Sequence, residues 1–288
     1  MIVVVGQTGQ VAQEIARICP EARFLSRADA DLSTPEAAAN VLKTTITEVN
    51  ATAVINAAAY TAVDRAETEQ GLAHRINAEA PGRCAEVCAA HRIPFVHIST
   101  DYVFDGSGAA PRAPDAPVAP LGAYGASKRD GERAVAAAGA VHAVLRTSWV
   151  FSAHGSNFVK TMLRLSETRD ALSIVSDQIG GPTPASAIAR ACVTIATHLA
   201  DAPALSGTYH FAGEPDVSWA GFARAIFDLA GRDVGVTEIP TSAYPTPAAR
   251  PLNSRLDCSA TEAAFGLLRP DWRAGLADVV AELSRGDT

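Results

Sequence analysis

The run Ile2-Val3-Val4-Val5, broken at once by Gly6, constrains this chain more than any other feature. Four consecutive β-branched residues show no polar alternation, so they read as a strand buried on both faces. Such a strand needs helices above and below it, the setting of a parallel sheet. The next residues agree. Residues 11–18 repeat with a helical period, so strand passes into helix through Gly6-Gln7-Thr8-Gly9. Residues 22–25, 53–56, 94–98 and 143–146 read as further strands, and 35–49, 74–90 and 124–138 as helices. Residues 106–121, rich in Pro, Ala and Gly, read as a loop.

This alternation predicts an α/β fold with a doubly wound parallel (Rossmann) sheet. After Trp149 it loosens, and Tyr244-Pro245-Thr246-Pro247 and Arg250-Pro251 break it further. The expected organisation is a dinucleotide-binding domain over 1–149 and a smaller, partly interleaved, mainly substrate-binding domain over 150–288. A helix around 184–200 is placed to pack back on the first. A chain of 288 residues, 48% hydrophobic, is large enough for both.

Composition excludes several classes. Net charge is −7 with no long basic run, which argues against a nucleic-acid partner. No apolar stretch is long enough to span a bilayer. No basic residues precede Ile2–Val5, so the start is not a secretory signal, and a cytoplasmic protein is expected. Five cysteines, Cys19, Cys84, Cys88, Cys192 and Cys258, are odd in number and scattered. Cys84, Cys88 and His91 lack further ligands at fixed spacing, so buried thiols are expected and no metal site.

Gly6-Gln7-Thr8-Gly9-Gln10-Val11-Ala12 links the first strand to the first helix. Glycine allows a tight turn and close backbone approach, and a helix N-terminus offers N–H groups to a pyrophosphate. An ordinary strand-to-helix turn looks similar, but the position within a βαβ pattern favours dinucleotide binding. An acid that reads the ribose is expected about 20 residues on. The second strand ends at Ser26-Arg27 instead. Arg27 suits a 2′-phosphate as well as it suits a solvated surface, which leaves NADPH and NADH both open. Asp31-Leu32 is placed for an adenine pocket or a helix cap, and Ala57-Ala58-Ala59 offers small residues beside a cofactor. Thr100 and Asp101 end the fourth strand, where ligands of such sheets gather, although turn formation also uses these residue types. Tyr124 and Lys128, four apart, share a helix face. A phenol beside an ammonium points to proton transfer at a carbonyl oxygen, the lysine favouring the phenolate. Asp64, Glu67 and Glu69 read as a solvated helix face. Trp149, at a strand end, reads as core or as an aromatic wall.

Together these blocks resemble the extended short-chain dehydrogenase/reductases, and within them the dTDP-4-dehydrorhamnose reductase family. The resemblance spans almost the whole chain. It rests on Gly-Gln-Thr-Gly-Gln-Val at 6–11, Asn-Ala-Ala-Ala-Tyr-Thr-Ala-Val-Asp at 56–64 and Ser-Thr-Asp-Tyr-Val-Phe-Asp-Gly at 99–106. It continues in Tyr-Gly-Ala-Ser-Lys at 124–128, Arg-Thr-Ser-Trp-Val-Phe at 146–151, Asp-Gln-x-Gly-x-Pro-Thr at 177–183 and Arg-Pro-x-Asn-Ser-Arg-Leu at 250–256. The resemblance implies reduction of the C4 ketone of a dTDP-linked 4-keto-6-deoxy sugar, in supply of dTDP-rhamnose for cell-surface polysaccharide. Tyr124 would be the proton donor, with Lys128 and Thr100 completing the catalytic set. Gly6, Gly9, Gln10, Val11, Arg27, Asp31, Leu32, Ala57, Ala58, Ala59, Ile98, Tyr124 and Lys128 fall on cofactor positions. Thr100, Asp101, Trp149, Asn253 and Arg255 fall on substrate positions, the last two near the nucleotide or the domain seam. Some relatives dimerise around Mg²⁺. Glu14 and Glu282 match their acids but Ser186 stands where a third belongs, so surface glutamates are expected, in a monomer or homodimer.

Two alternatives share these motifs. One is another nucleotide-sugar 4-ketoreductase or an epimerase. The other is a non-catalytic NADP-binding protein resembling the regulatory subunit of methionine adenosyltransferase, against which Thr100, Tyr124 and Lys128 argue.

Overall fold

A computed structural model describes residues 1–286. Its main sheet has six parallel strands. These are β1 (Ile2–Val5), β2 (Arg23–Leu25), β3 (Ala53–Asn56), β4 (Phe95–Thr100), β5 (His142–Thr147) and the strand Gly207–His210. Their order is Gly207–His210, β5, β4, β3, β1, β2. The first strand lies inside the sheet, and it explains the unbroken apolar run. Val4 packs with α1 (Gln10–Ile18) and the helix Ala185–Asp201 on one face. Val3 and Val5 pack with α2 (Pro35–Glu48) and the helix Ala80–His91 on the other. Winding reverses between β1 and β3, which opens a crevice at their carboxyl ends.

The later part of the chain builds its own apolar cluster, including Phe151, Met162, Phe222, Ile226 and Trp272. A parallel pair, Ala171–Val175 with Gly235–Ile239, lies beside it. Between these segments the chain returns to the main sheet, supplying both the helix Ala185–Asp201 and the edge strand Gly207–His210.

The pattern predicts one helix over 74–90, but the structure is composite. Helical turns start at Gln70–His74, a π-turn covers Arg75–Glu79, and the helix Ala80–His91 comes next. The π-turn serves Asn77, which is fully buried. Its amide accepts from Tyr60 N at 2.8 Å and donates to Tyr60 O and Ser127 Oγ, each at 3.0 Å. The helix Ala123–Ala137 crosses so close here that a Cβ on Gly131 would overlap the Asn77 carbonyl. One extra residue per turn does not disturb an apolar periodicity enough to be read from it.

Gly131→Ala should therefore lower stability by about 1–3 kcal/mol, since backbone rather than a flexible side chain must move. Urea unfolding measures this, and an unchanged midpoint would contradict the close packing.

Candidate active site

Gly6 has φ +106°, and a Cβ there would stand 3.2 Å from Ala58. Its N–H donates to Leu25 O at 2.8 Å, locking the turn. Gly9 precedes α1 in extended geometry and no side chain caps the helix. The first-turn N–H groups thus face the crevice without a side-chain acceptor, which suits an anion. Beside them, Ala57 N–H donates to Val5 O and Ala58 N–H to Asn56 Oδ1. The turn, the bare helix end and the small residues at 57–59 fit the phosphates of a dinucleotide.

Other expected cofactor residues meet this crevice differently. Val11 and Leu32 bury their side chains in the two sheet-face clusters. The Gln10 side-chain Oε1 accepts from Ser152 Oγ and Asn157 Nδ2, each at 2.9 Å. That ties residues 152–157 across the glycine turn, a contact with no local sequence signal. Arg27 is largely exposed, its Nε 3.4 Å from Asp31 Oδ2. Asp31 Oδ1 accepts from Ser33 N at 2.9 Å, which holds its pKa below the usual carboxylate value.

The helix Ala123–Ala137 begins at Gly122, and Glu67 Oε1 accepts from Ala123 N at 2.8 Å. It carries Tyr124 and Lys128 to the end of β4. Gly125 lets this helix press on the Tyr102 carbonyl, where a Cβ would overlap. Tyr124 packs edge-on against Tyr102, ring centroids 5.6 Å apart. Its phenol also lies against the Thr100 hydroxyl, which favours the phenolate. The spacing predicts a phenol lowered by its lysine, but burial instead pushes Tyr124 up to about 12. Lys128, 2% exposed, turns Nζ to β4, donating to Ile98 O at 2.7 Å with His97 Nε2 at 3.2 Å. Burial lowers Lys128 from 10.5 to about 8, opposed by Glu132.

Thr100 Oγ1 donates to Asp101 Oδ1 at 3.1 Å and accepts from Tyr102 N at 3.2 Å. Asp101 is 2% exposed and pushed up to about 6 by burial, with Ser254 and Thr100 hydroxyls working the other way. Its Oδ2 has no partner in hydrogen-bond geometry. A buried acceptor left bare beside a reactive hydroxyl pair fits a ligand O–H.

Trp149 adopts a left-handed backbone, φ +49°, and stacks on Trp219 at 3.5 Å between centroids. Trp219 Nε1 donates to Gln178 Oε1 at 3.1 Å. Trp219 escaped the sequence reading, since an aromatic opening a helix looks like core. Asn253 is buried, and its amide donates to Ala110 O at 2.9 Å while Arg255 Nη1 donates to Asn253 Oδ1 at 3.1 Å. Arg255 also lies 3.7 Å from Asp216. Both late residues thus hold the seam between the 105–112 loop and the later chain. The acidic cluster is only partly solvated, each acid being tied to a partner. Asp64 pairs with Arg250 at 2.8 Å, Glu67 caps the Tyr124 helix, and Glu69 accepts from Tyr60 Oη at 2.7 Å.

The suggestion of Mg²⁺ gains no support, and Glu14 is buried rather than the surface glutamate expected. Arg17 stands between the two glutamates, 3.6 Å from Glu14 and 2.9 Å from Glu282. Among the described residues no group of three metal-binding side chains converges. Among them, too, no helix is long and apolar enough to cross a membrane.

Fold and crevice define a doubly wound parallel-sheet protein with an uncapped helix start at its switch point. Residues 1–285 match the model of the RmlD substrate binding domain, and the chain belongs to that family. It is 40% identical to a dTDP-4-dehydrorhamnose reductase of Sinorhizobium fredii, covering 94% of this chain and 93% of the relative. It is 42% identical to the Burkholderia thailandensis enzyme of the same name, covering 98% of each. The crystal structure of dTDP-4-dehydrorhamnose reductase from Bacillus anthracis in complex with NADP superposes with a TM-score of 0.88 at 33% identity, covering 98% of both chains.

The Lys128 value has a consequence for stability. Between pH 8 and 10.5 the unfolded chain holds this proton and the folded one does not, so stability from this group rises across that window. Lys128→Met should abolish the rise, and at neutral pH it should be no less stable than the parent, with a gain of up to about 3 kcal/mol. Urea unfolding at neutral and alkaline pH checks both statements.

Proposed function

We propose that this protein reduces the C4 ketone of dTDP-4-dehydro-L-rhamnose to dTDP-L-rhamnose with NADPH or NADH. In this reading residues 1–149 chiefly bind the dinucleotide and 150–288 chiefly the sugar nucleotide, in a cytoplasmic enzyme supplying cell-surface polysaccharide. One observation carries it most. The Tyr124 phenol, the Thr100 hydroxyl and the bare Asp101 Oδ2 gather at the end of β4, in the crevice that the uncapped start of α1 opens onto.

When bound, the reduced nicotinamide supplies the hydride. The protein supplies the proton and the geometry. Tyr124, with a pKa of about 12, is fully protonated at neutral pH and gives its proton to the ketone oxygen. Thr100 turns its hydroxyl from Asp101 to that oxygen and stabilises the developing charge. Asp101 Oδ2 accepts from a sugar hydroxyl. Trp149, propped on Trp219, walls the sugar side. The first turn of α1 takes the pyrophosphate, and Lys128 the nicotinamide ribose.

Tyr124→Phe should lower turnover by roughly 10²–10⁴-fold while dinucleotide affinity holds. NAD(P)H oxidation with dTDP-4-dehydro-L-rhamnose reads the first and fluorescence titration the second. Near-normal turnover would sink the mechanism. Arg27→Ala tests the 2′-phosphate contact. It should weaken NADPH about tenfold and leave NADH unchanged, an equal effect on both arguing against a phosphate role.

A further inference from the structure

Asn56, His97 and Lys128 form a row across β3, β4 and the Tyr124 helix, each no more than 2% exposed. Asn56 and His97 are register partners on adjacent strands. The hydrogen bonds along the row assign its protons. Ala58 N–H donates to Asn56 Oδ1 at 3.2 Å, so the NH₂ end of the amide faces the other way. It lies 3.1 Å from His97 Nδ1, which must therefore accept. A neutral imidazole carries one N–H, here placed on Nε2. Nε2 is 3.2 Å from Lys128 Nζ.

An ammonium has three donors and no acceptor, so a charged Lys128 meets His97 donor to donor. A neutral amine closes the row instead. His97 Nε2–H donates to the Nζ lone pair, and Nζ donates to Ile98 O at 2.7 Å. Moving the imidazole proton to Nδ1 sets it against the Asn56 NH₂. Turning the amide over sets that NH₂ against Ala58 N–H. Each alternative leaves two donors face to face in a site closed to water.

We propose that Asn56 and His97 are positioning residues for the lysine, Asn56 fixing the Nε2–H tautomer and that N–H holding Lys128 toward its neutral amine form. The ionisable groups facing the row are Lys128 itself, His142 from β5, and Glu132 one turn along the helix, which favours the ammonium. Burial keeps His97 neutral, well below its ordinary value. The consequence for the site rests on the proposed function, in which Lys128 holds the nicotinamide ribose. The amine's second N–H is then left for the nicotinamide ribose hydroxyl that Lys128 holds in that reading.

The chain has three lysines, Lys43, Lys128 and Lys160, so lysine-selective ¹³Cε NMR of the whole cofactor-free protein is simple, with Lys128→Met assigning the signal. Lys128 should titrate below the other two. Asn56→Asp accepts from a Nδ1–H and so draws the imidazole proton away from Nε2. His97→Gln is intended to present a carbonyl oxygen to Nζ. Each should raise the Lys128 midpoint by about one pH unit or more. Imidazole ¹⁵N shifts should report His97 as Nε2–H in the parent and Nδ1–H in Asn56→Asp. A parent His97 carrying Nδ1–H overturns the proposal, as does a Lys128 midpoint unmoved or lowered in folded Asn56→Asp. If His97→Gln does not fold, the parent tautomer and the near-isosteric Asn56→Asp still decide. None of these readouts uses turnover. Failure to reduce any 4-keto sugar nucleotide therefore counts against the functional reading and not against this one.

Discussion

The buried pair of Glu132 and Arg146 is the interaction on which the site's geometry most depends. It is two-pronged, with Arg146 Nε to Glu132 Oε1 at 2.8 Å and Nη2 to Oε2 at 2.7 Å. Its remaining bonds are met within the protein. Ser99 Oγ donates to Glu132 Oε1 at 2.6 Å, and Arg146 Nη1 reaches Pro114 O at 2.9 Å and His210 Nε2 at 3.3 Å. His210 Nδ1 in turn donates to Arg112 O at 3.0 Å. One ion pair thus joins β4, β5, the edge strand, the 106–121 loop and the Tyr124 helix. Glu132 lies one turn beyond Lys128, so this pair sets the roll of the helix. That roll turns Lys128 under β4 and Tyr124 over Thr100. Desolvating two charges is costly, and losing one partner of such a pair typically costs about 3–5 kcal/mol. His210 is lowered to about 3 by burial and Arg146, so it stays neutral and the network does not loosen in mild acid.

A second set of ties runs across the molecule. Arg250 grips Asp64 with two 2.8 Å bonds to a residue 186 positions earlier. Asn253 N–H donates to Gly106 O at 3.0 Å, and Arg112 and Leu256 form a parallel bridge. The 250–256 segment therefore straps the loop beyond Thr100-Asp101. Without it, that loop would be a long, proline-rich excursion held chiefly by Arg146. The late sequence block thus carries information about the site although its side chains are spent on the seam.

Strands and most helices were legible because a parallel sheet buried on both faces writes continuous apolar runs, as in Ile2–Val5 and Ala53–Asn56. The glycine turn and the Tyr124–Lys128 face were legible because their geometry is local. What stayed hidden are polar contacts made at long range. His97 and Asn56 sit in apolar strands with no mark of each other, 41 positions apart. Asp64 and Glu67 look like a solvated face until Arg250 and Ala123 are folded against them. The π-turn at Arg75–Glu79 leaves the apolar spacing almost intact. The effect of Lys128 on Tyr124 stayed hidden for a related reason. Four-residue spacing shows that two side chains share a face, and says nothing of where a long lysine sends its charge.

Three costs of this architecture fall in one place. Lys128 is an ionisable group with almost no solvent, Asp101 keeps a buried oxygen without a partner, and Trp149 holds a left-handed backbone that its stack on Trp219 must enforce. Each is a departure that typically costs about 1–3 kcal/mol. All three lie at the carboxyl ends of β4 and β5 or on the helix between them, while the opposite ends of these strands run into apolar clusters. Costs gathered in one crevice are what a site looks like when ligand contacts complete it. A ligand hydroxyl on Asp101 Oδ2 and a ring against Trp149 would satisfy what the fold alone leaves unsatisfied. The same burial that makes the lysine expensive also brings it within reach of neutral pH, so the destabilising feature and the reactive one are a single feature.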